Sequence, residues 1–312
     1  MNAATPVVIL TGALGAGKTT LLNAALRGGG MPRTAVVVNE FGAVGIDHEL
    51  IESASEDVVL LPGGCACCEV RSDLAGALLR LERGARRGDL PGFARIVVET
   101  SGLAEPGPVL EQFADSALLA GRFRPEAVVT VVDAVLGAAA LDEQGTAFRQ
   151  ALLADRLVIS KWQAMPQDAV ARLEDRLAAL NPYAERVRAA RGAADAACFG
   201  PGAAIGRKQV PPQAAHDDAV DSFVLRWDVP QPLEAIGDWL HGLAATHGAR
   251  LLRVKGIVAA GDCAQAVAVH AIQHLVAPPE FLDAVPGSSR VVFITRGLEP
   301  GDVAPGWPVT AS

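Results

Sequence analysis

Six short apolar runs without helical period punctuate the first 160 residues: Val7–Leu10, then within Arg33–Asn39, Val58–Leu61, Arg95–Val98, Ala127–Val132 and Arg156–Ser160. Runs of this length, rich in Val and Ile, fit strands of a parallel sheet buried on both faces. Helix-compatible stretches lie between or after them. Lys18–Arg27 follows the first run, and Gln167–Leu180 precedes the Asn181-Pro182 stop. Glu69–Arg86 follows the third run, with Leu74, Leu78, Leu79 and Leu81 on an apolar stripe. Strand and helix in alternation predict an α/β domain with a mostly parallel sheet over residues 1–190. Residues 191–219 are rich in Ala, Gly and Pro and read as a linker, in which Cys198 has no evident role. From Asp221 the pattern changes. Ser222–Trp227, Leu251–Ala259 and Arg290–Thr295 read as strands and Leu233–Thr246 as a helix, with a largely apolar stretch over Cys263–Val276. Residues 220–312 are therefore expected to form a smaller α+β domain.

The first loop changes this picture most. Gly12-x-x-x-x-Gly17-Lys18-Thr19 follows a strand and opens a helix, the context that gives the P-loop pattern its meaning. Backbone N–H groups of Gly12, Ala13, Leu14, Gly15, Ala16, Gly17, Lys18, Thr19 and Thr20 are expected around phosphate oxygens, helped by the helix N-terminus. Lys18 would reach the β- and γ-phosphates, and the Thr19 hydroxyl would serve Mg²⁺. Glu99, at a predicted strand end and followed by Gly102, suits a Walker B acid, with the Gly102 N–H near the γ-phosphate. Lys161 follows the sixth run in Ser160-Lys161-Trp162-Gln163, where GTPases carry Asn/Thr-Lys-x-Asp. There the lysine stem lies over the base and the Asp takes two hydrogen bonds from guanine. Gln163 stands in place of that Asp, and its NH₂ would face one of the two donors.

Cysteine usage adds a second chemistry. Three of the five cysteines, Cys65, Cys67 and Cys68, fall within four residues, after a Gly pair and before a predicted helix. An odd, clustered set is no disulfide framework and fits a reducing, cytoplasmic setting. Soft thiolates at this density suit Zn²⁺ or another soft metal, and a helix N-terminus favours the thiolate. A tetrahedral site needs a further ligand, for which Glu40 or a water is the candidate. A redox role, through the Cys-x-x-Cys spacing of Cys65 and Cys68, is an alternative. His270 and His274 lie four apart and would share one face of a helix or strand, but no carboxylate or thiol lies near them in sequence. A net charge of −8 argues against nucleic acid or an anionic membrane as partner, and no apolar run is long enough to span a bilayer. The N-terminus lacks a basic leader pattern.

Taken together, Gly12–Thr20, Asn39-Glu40-Phe41-Gly42, Gly64-Cys65-Ala66-Cys67-Cys68, Glu99–Pro106 and Val131–Ala134 resemble the CobW-like P-loop GTPases. The later stretches Arg253–Gly256 and Val291–Arg296 fit as well. The resemblance implies a Rossmann-like GTPase domain followed by a CobW C-terminal domain. It implies GTP and Mg²⁺ on the P-loop and Zn²⁺, or a similar divalent ion, on Cys67 and Cys68 with Cys65 and Glu40. It also implies catalytic work at Lys18 and Glu99, a γ-phosphate switch at Glu99 and Gly102, and a client metalloprotein that receives the metal. Gln163 departs from the family pattern. It leaves open an ATPase, a broad NTPase, or a metal-binding relative without hydrolysis.

Overall fold

The computed structural model describes residues 4–39, 58–62, 73–119, 121–143, 145–189, 196–200, 220–282, 287–304, 307 and 310–311. The chain divides into two compact units. One is drawn from residues 1–178 and 183–203, the other from 179–182 and 204–312.

The first unit is a parallel sheet with helices on both faces. Its strands are β1 (Thr5–Gly12), β2 (Thr34–Asn39), β3 (Val58–Pro62), β4 (Arg95–Thr100), β5 (Phe123–Asp133), β6 (Arg156–Ser160) and β7 (Glu185–Arg188). They lie in the order β3-β2-β4-β1-β5-β6-β7, and every described pairing is parallel. The apolar runs lack a period because alternate residues feed two cores. Val8 and Leu10 join Leu21, Leu22 and Leu26 of α1 (Lys18–Arg27) on one face. Val7 and Ile9 join Leu74, Leu78 and Leu81 of α2 (Asp73–Arg87) and Phe113 of α3 (Pro106–Asp115) on the other. The connection after β5 carries α4 (Gly137–Asp142) and α5 (Thr146–Leu152), and α6 (Gln167–Leu180) leads to β7. Sequence periodicity singled out neither α3, α4, α5 nor β7.

Part of the stretch read as linker belongs to this unit. Cys198 and Phe199 are buried against Val187 and the core beneath α1. Arg95 and Arg156, the first residues of β4 and β6, donate to the carbonyls of Phe199 and Ala197. Two buried or half-buried guanidinium groups thus fasten residues 196–200 at the N-terminal ends of the strands, and Cys198 is a core residue. The amphipathic helix expected from Glu69 is described from Asp73 onward, because residues 63–72 lie outside the described residues.

The second unit is an antiparallel sheet in the order β11-β10-β9-β13-β8-β14, with β12 on β10. The strands are β8 (Val220–Trp227), β9 (Leu251–Ala259), β10 (Ala266–Ile272), β11 (Leu275–Val276), β12 (Glu280–Leu282), β13 (Ser289–Arg296) and β14 (Thr310–Ala311). Ile236, Leu240 and Leu243 of α7 (Leu233–His247) share a core with Phe223, Leu225, Val254, Val258, Val267 and Phe293. Val303 of the short α8 (Pro300–Val303) joins it. Trp227, Trp239 and Trp307 pack edge-on or stacked at 4.8–6.1 Å between ring centroids. His270 and His274 do not lie on one continuous element, so the condition for a shared face is not met. His270 is on β10, whereas His274 lies in the two-residue turn between β10 and β11, after Gln273 at φ +52°. The His274 ring nitrogen Nδ1 instead lies 3.1 Å from the carbonyl of Ala244 near the end of α7. Among the described residues no group of three or more His, Cys, Asp or Glu could hold a metal.

Candidate nucleotide site

Parallel register delivers the polar residues to one end of the first sheet. Leu10 pairs with Glu99, Gly12 with Val131, and Asp133 with Ser160, so Gly12, Glu99, Asp133 and Ser160 gather at the strands' C-terminal ends. β1 lies between β4 and β5, although the chain runs from β1 to β2 on the far side of β4. Such a crossing point opens a crevice for ligands in doubly wound sheets.

The loop from Gly12 to Lys18 is shaped by its glycines for different reasons. Gly12 has φ +140°, and a Cβ there would meet the Val131 carbonyl oxygen at 2.3 Å, so close passage of β5 demands glycine. Gly15 and Gly17 have φ +72° and +97°, and a Cβ at either would meet nothing within 4 Å. Their need is backbone conformation, and the space before them is open. The loop closes through the Ala16 N–H to the Ala13 carbonyl at 3.1 Å and the Leu21 N–H to the Gly17 carbonyl at 2.9 Å. Ala13 and Leu14 continue the loop, Leu14 being well exposed, and Thr20 is an exposed residue of the first turn of α1.

Lys18 is buried, and its ammonium donates to the carbonyls of Gly12 at 3.0 Å and Ala13 at 3.2 Å. A cation curled back into the loop that precedes it is positioned to swing onto an anion in that concavity. The Thr19 hydroxyl donates to Glu99 Oε1 at 2.6 Å, and Glu99 is buried at the end of β4. The two predicted oxygen donors for a hard cation are thus already in contact, from residues eighty positions apart. Hydroxyl and carboxylate oxygens fit Mg²⁺, and the glycine cradle with its lysine fits a polyphosphate. Gly102 approaches the same loop. A Cβ there would lie 2.5 Å from the Leu14 nitrogen, so the turn after β4 rests directly on the loop's backbone.

A third strand end supports the loop from the other side. The Lys161 ammonium donates to Asp133 Oδ2 at 2.6 Å and to the Gly15 carbonyl at 2.8 Å. The Ser160 hydroxyl donates to the Ala16 carbonyl at 2.7 Å. Asp133 is buried and also accepts from the Val135 N–H at 2.8 Å. Lys161 adopts φ +55°, unusual for a side-chain-bearing residue, and its hydrogen bonds to Asp133 and Gly15 hold it there. Next to it, the Trp162 indole donates to the Ala189 carbonyl at 3.1 Å, and the Arg188 guanidinium lies 5.7 Å from its ring centroid. Gln163 is exposed.

Lys18, Thr19, Glu99, Gly102 and Lys161 therefore converge. Glu40, Cys65, Cys67 and Cys68 lie outside the described residues. Motif reading did not assign roles to Asp133, Ser160 or Gln150. The first two could have been found from the parallel pairing of neighbouring strand ends, and Gln150 carried no sequence signal.

Both parts of the chain match known protein families. Residues 6–188 match the CobW/HypB/UreG nucleotide-binding domain, and residues 220–307 match the cobalamin synthesis protein CobW C-terminal domain. The chain is 31% identical over 260 residues to the zinc chaperone YjiA of Escherichia coli, an alignment covering 81% of each protein. It is 35% identical over 219 residues to the zinc chaperone CobW of Pseudomonas aeruginosa, covering 60% of this chain and 57% of that one. Superposition on the crystal structure of the Zn(II)-bound YjiA GTPase from E. coli covers 97% of both chains with a TM-score of 0.70 at 26% identity. The chain belongs to the CobW/HypB/UreG family of nucleotide-binding proteins and carries the CobW C-terminal domain.

Proposed function

We propose that the chain is a GTP-hydrolysing metallochaperone that carries Zn²⁺ as cargo for a client metalloprotein. The observation that carries the GTPase part is the contact of Thr19 with Glu99 beside the buried Lys18, inside a loop whose glycines leave room for phosphates. Lys18 binds and neutralises the β- and γ-phosphate oxygens. Thr19 and Glu99 would hold Mg²⁺, which would supply positive charge to offset that of the phosphates. Lys18 and the turn at Gly102, whose backbone lies against that of Leu14, meet the group that hydrolysis removes, and Glu99 acts there through the cation. The cargo part rests on Cys65, Cys67 and Cys68 with Glu40, and on the names of the two zinc-chaperone relatives. Coupling follows from linkage: if GTP changes the affinity for Zn²⁺, Zn²⁺ changes the affinity for GTP by the same factor.

Titrating Zn²⁺ into metal-free protein with GDP and with a non-hydrolysable GTP analogue tests the cargo site and its gating, and release of phosphate from GTP tests the hydrolysis. One equivalent should bind tightly, with an affinity that differs between nucleotides by about fivefold or more. That equivalent should vanish in Cys67→Ala/Cys68→Ala, with nucleotide binding intact. Stoichiometric tight binding retained in the double variant would refute the cysteine assignment. Equal Zn²⁺ affinity with both nucleotides would refute the gating.

A second reading, a broad NTPase, is favoured by exposed Gln163 beside a Lys161 engaged by Asp133 and the P-loop. Competition among GTP, ATP and XTP separates the two. Preference for GTP retains the G-protein, and equal affinities establish the broader enzyme.

A further inference from the structure

Gln150 is wholly buried on α5, yet no motif includes it. Its amide Nε2 donates to the carbonyl of Ala104 at 2.8 Å and, more weakly, to that of Gly102 at 3.4 Å. Its own backbone carbonyl accepts from the Thr130 hydroxyl of β5 at 2.7 Å, which fixes the helix to the sheet. Its Oε1 is buried and accepts no hydrogen bond among the described residues. Gln150 lines a crevice together with Ala13, Leu14 and Asp133. A neighbouring residue repeats the connection at the surface: Arg149 pairs with Glu105 at 2.7 Å. The turn between β4 and α3 is thus gripped from both sides. Gly102 abuts the backbone of Leu14, and α5 holds its carbonyl and that of Ala104.

The amide orientation follows from this network. Turned over, Gln150 would aim Oε1 at two carbonyl oxygens and leave its NH₂ buried without those acceptors, so two donated bonds outweigh one unsatisfied oxygen. The geometry points to Gln150 as the positioning residue of the γ-phosphate-reading turn, holding Gly102 against the P-loop where a triphosphate meets it. This rests on the nucleotide reading above. Gln150 touches neither phosphate nor cation and acts only through the turn's backbone.

The test compares wild type with Gln150→Leu and Gln150→Glu. Leucine keeps the volume and removes both donated bonds. GDP affinity should stay within about twofold, while kcat for GTP and the affinity for a non-hydrolysable GTP analogue each fall about tenfold. A merely structural role would lower the melting temperature and leave the GTP-to-GDP affinity ratio unchanged, and that result overturns the proposal.

Glutamate tests the donor directly. When protonated it gives one hydrogen bond to a carbonyl, and when ionised it repels both. Asp133 lines the same crevice, and Arg149 and Glu105 lie beside the turn, so the ionised form faces carbonyls and one buried carboxylate. In Gln150→Glu, kcat relative to wild type should therefore drop as pH rises. A ratio independent of pH overturns the proposal, and this arm serves if the leucine variant does not fold. Wild type that binds neither nucleotide would instead defeat the nucleotide reading itself. Intact binding and hydrolysis with unaffected variants would defeat only the role of Gln150.

Discussion

The two units bury comparable kinds of apolar surface but treat polar groups differently. In the first, buried polar residues collect at strand ends and bind one another across long stretches of chain. Thr19 meets Glu99, Lys161 meets Asp133, Ser160 meets Ala16, and Gln150 meets Ala104. In the second, the centre is aromatic. Phe223 and Phe293 stack at 5.3 Å, Trp239 stands edge-on to Phe293 at 5.9 Å, and the Trp239 indole satisfies its N–H on the Val303 carbonyl at 2.7 Å. A parallel sheet aims all its strands the same way, so its C-terminal end accumulates loops and chemistry. An antiparallel sheet splits its loops between both ends, and its stability comes from one well-filled face. Chemistry and stability should therefore be separable by mutation.

The largest expected effect is in the second unit. Phe293 is fully buried between α7 and the sheet, and Phe293→Ala removes both the stacked and the edge-on contact. The loss should be about 3–5 kcal/mol of that unit's stability. Denaturant melts followed by tryptophan fluorescence should read it, since three of the four tryptophans sit in this unit. Nucleotide affinity of the folded protein should be unchanged. Loss of nucleotide binding while the fold persists would break the proposed separation.

A smaller effect, of the opposite kind, is expected at Ser160. Its hydroxyl ties β6 to the Ala16 carbonyl inside the P-loop, and Ser160→Ala removes that tie with little change of volume. About 1 kcal/mol of loop support should be lost, appearing as a roughly fivefold weaker nucleotide affinity. Titration with GDP measures it, and thermal stability should move little. A drop in melting temperature without weaker binding would mean that the tie serves the fold.

These contrasts also explain what could be read from sequence. Glycines and a lysine at fixed spacing after an apolar run announce a phosphate loop, because the chemistry is local. The place of Glu99, at a strand end beside that loop, was legible once the loop was in hand. Gln150 beneath Gly102 and the reason for Gly12 were not, because each is a contact between segments distant in sequence, and Asp133 beneath Lys161 follows only once β5 and β6 are paired end to end. Residues 196–200 looked like linker for the same reason. Their anchors, Arg95 and Arg156, lie on other strands. α4 and α5 are too short to show a helical period. In the second unit, the spacing of His270 and His274 carries no shared face, because β10 ends at Ile272 and His274 lies in the turn that follows.

The smallest effect concerns the edge of the first unit, where fold and site overlap. Arg188 at the end of β7 makes a two-pronged ion pair with Glu174 of α6, at 2.6 and 2.7 Å. It also overlies Trp162, next to the Lys161–Gln163 segment. Hydrogen bonding from Arg188 holds the Glu174 carboxyl below its ordinary value of 4.5, against a partial opposing cost of burial. A carboxyl whose pKa is lowered by folding stabilises the fold above its unfolded value, and that contribution disappears as pH falls through the folded value. The pair is partly exposed, so solvent screening keeps its worth small. Glu174→Gln should therefore lower the melting temperature slightly at pH 7, and the gap from wild type should close on acidification below about pH 4.5. A gap that persists unchanged in acid would mean that Glu174 acts by packing, and that Arg188 is held over Trp162 without its charge.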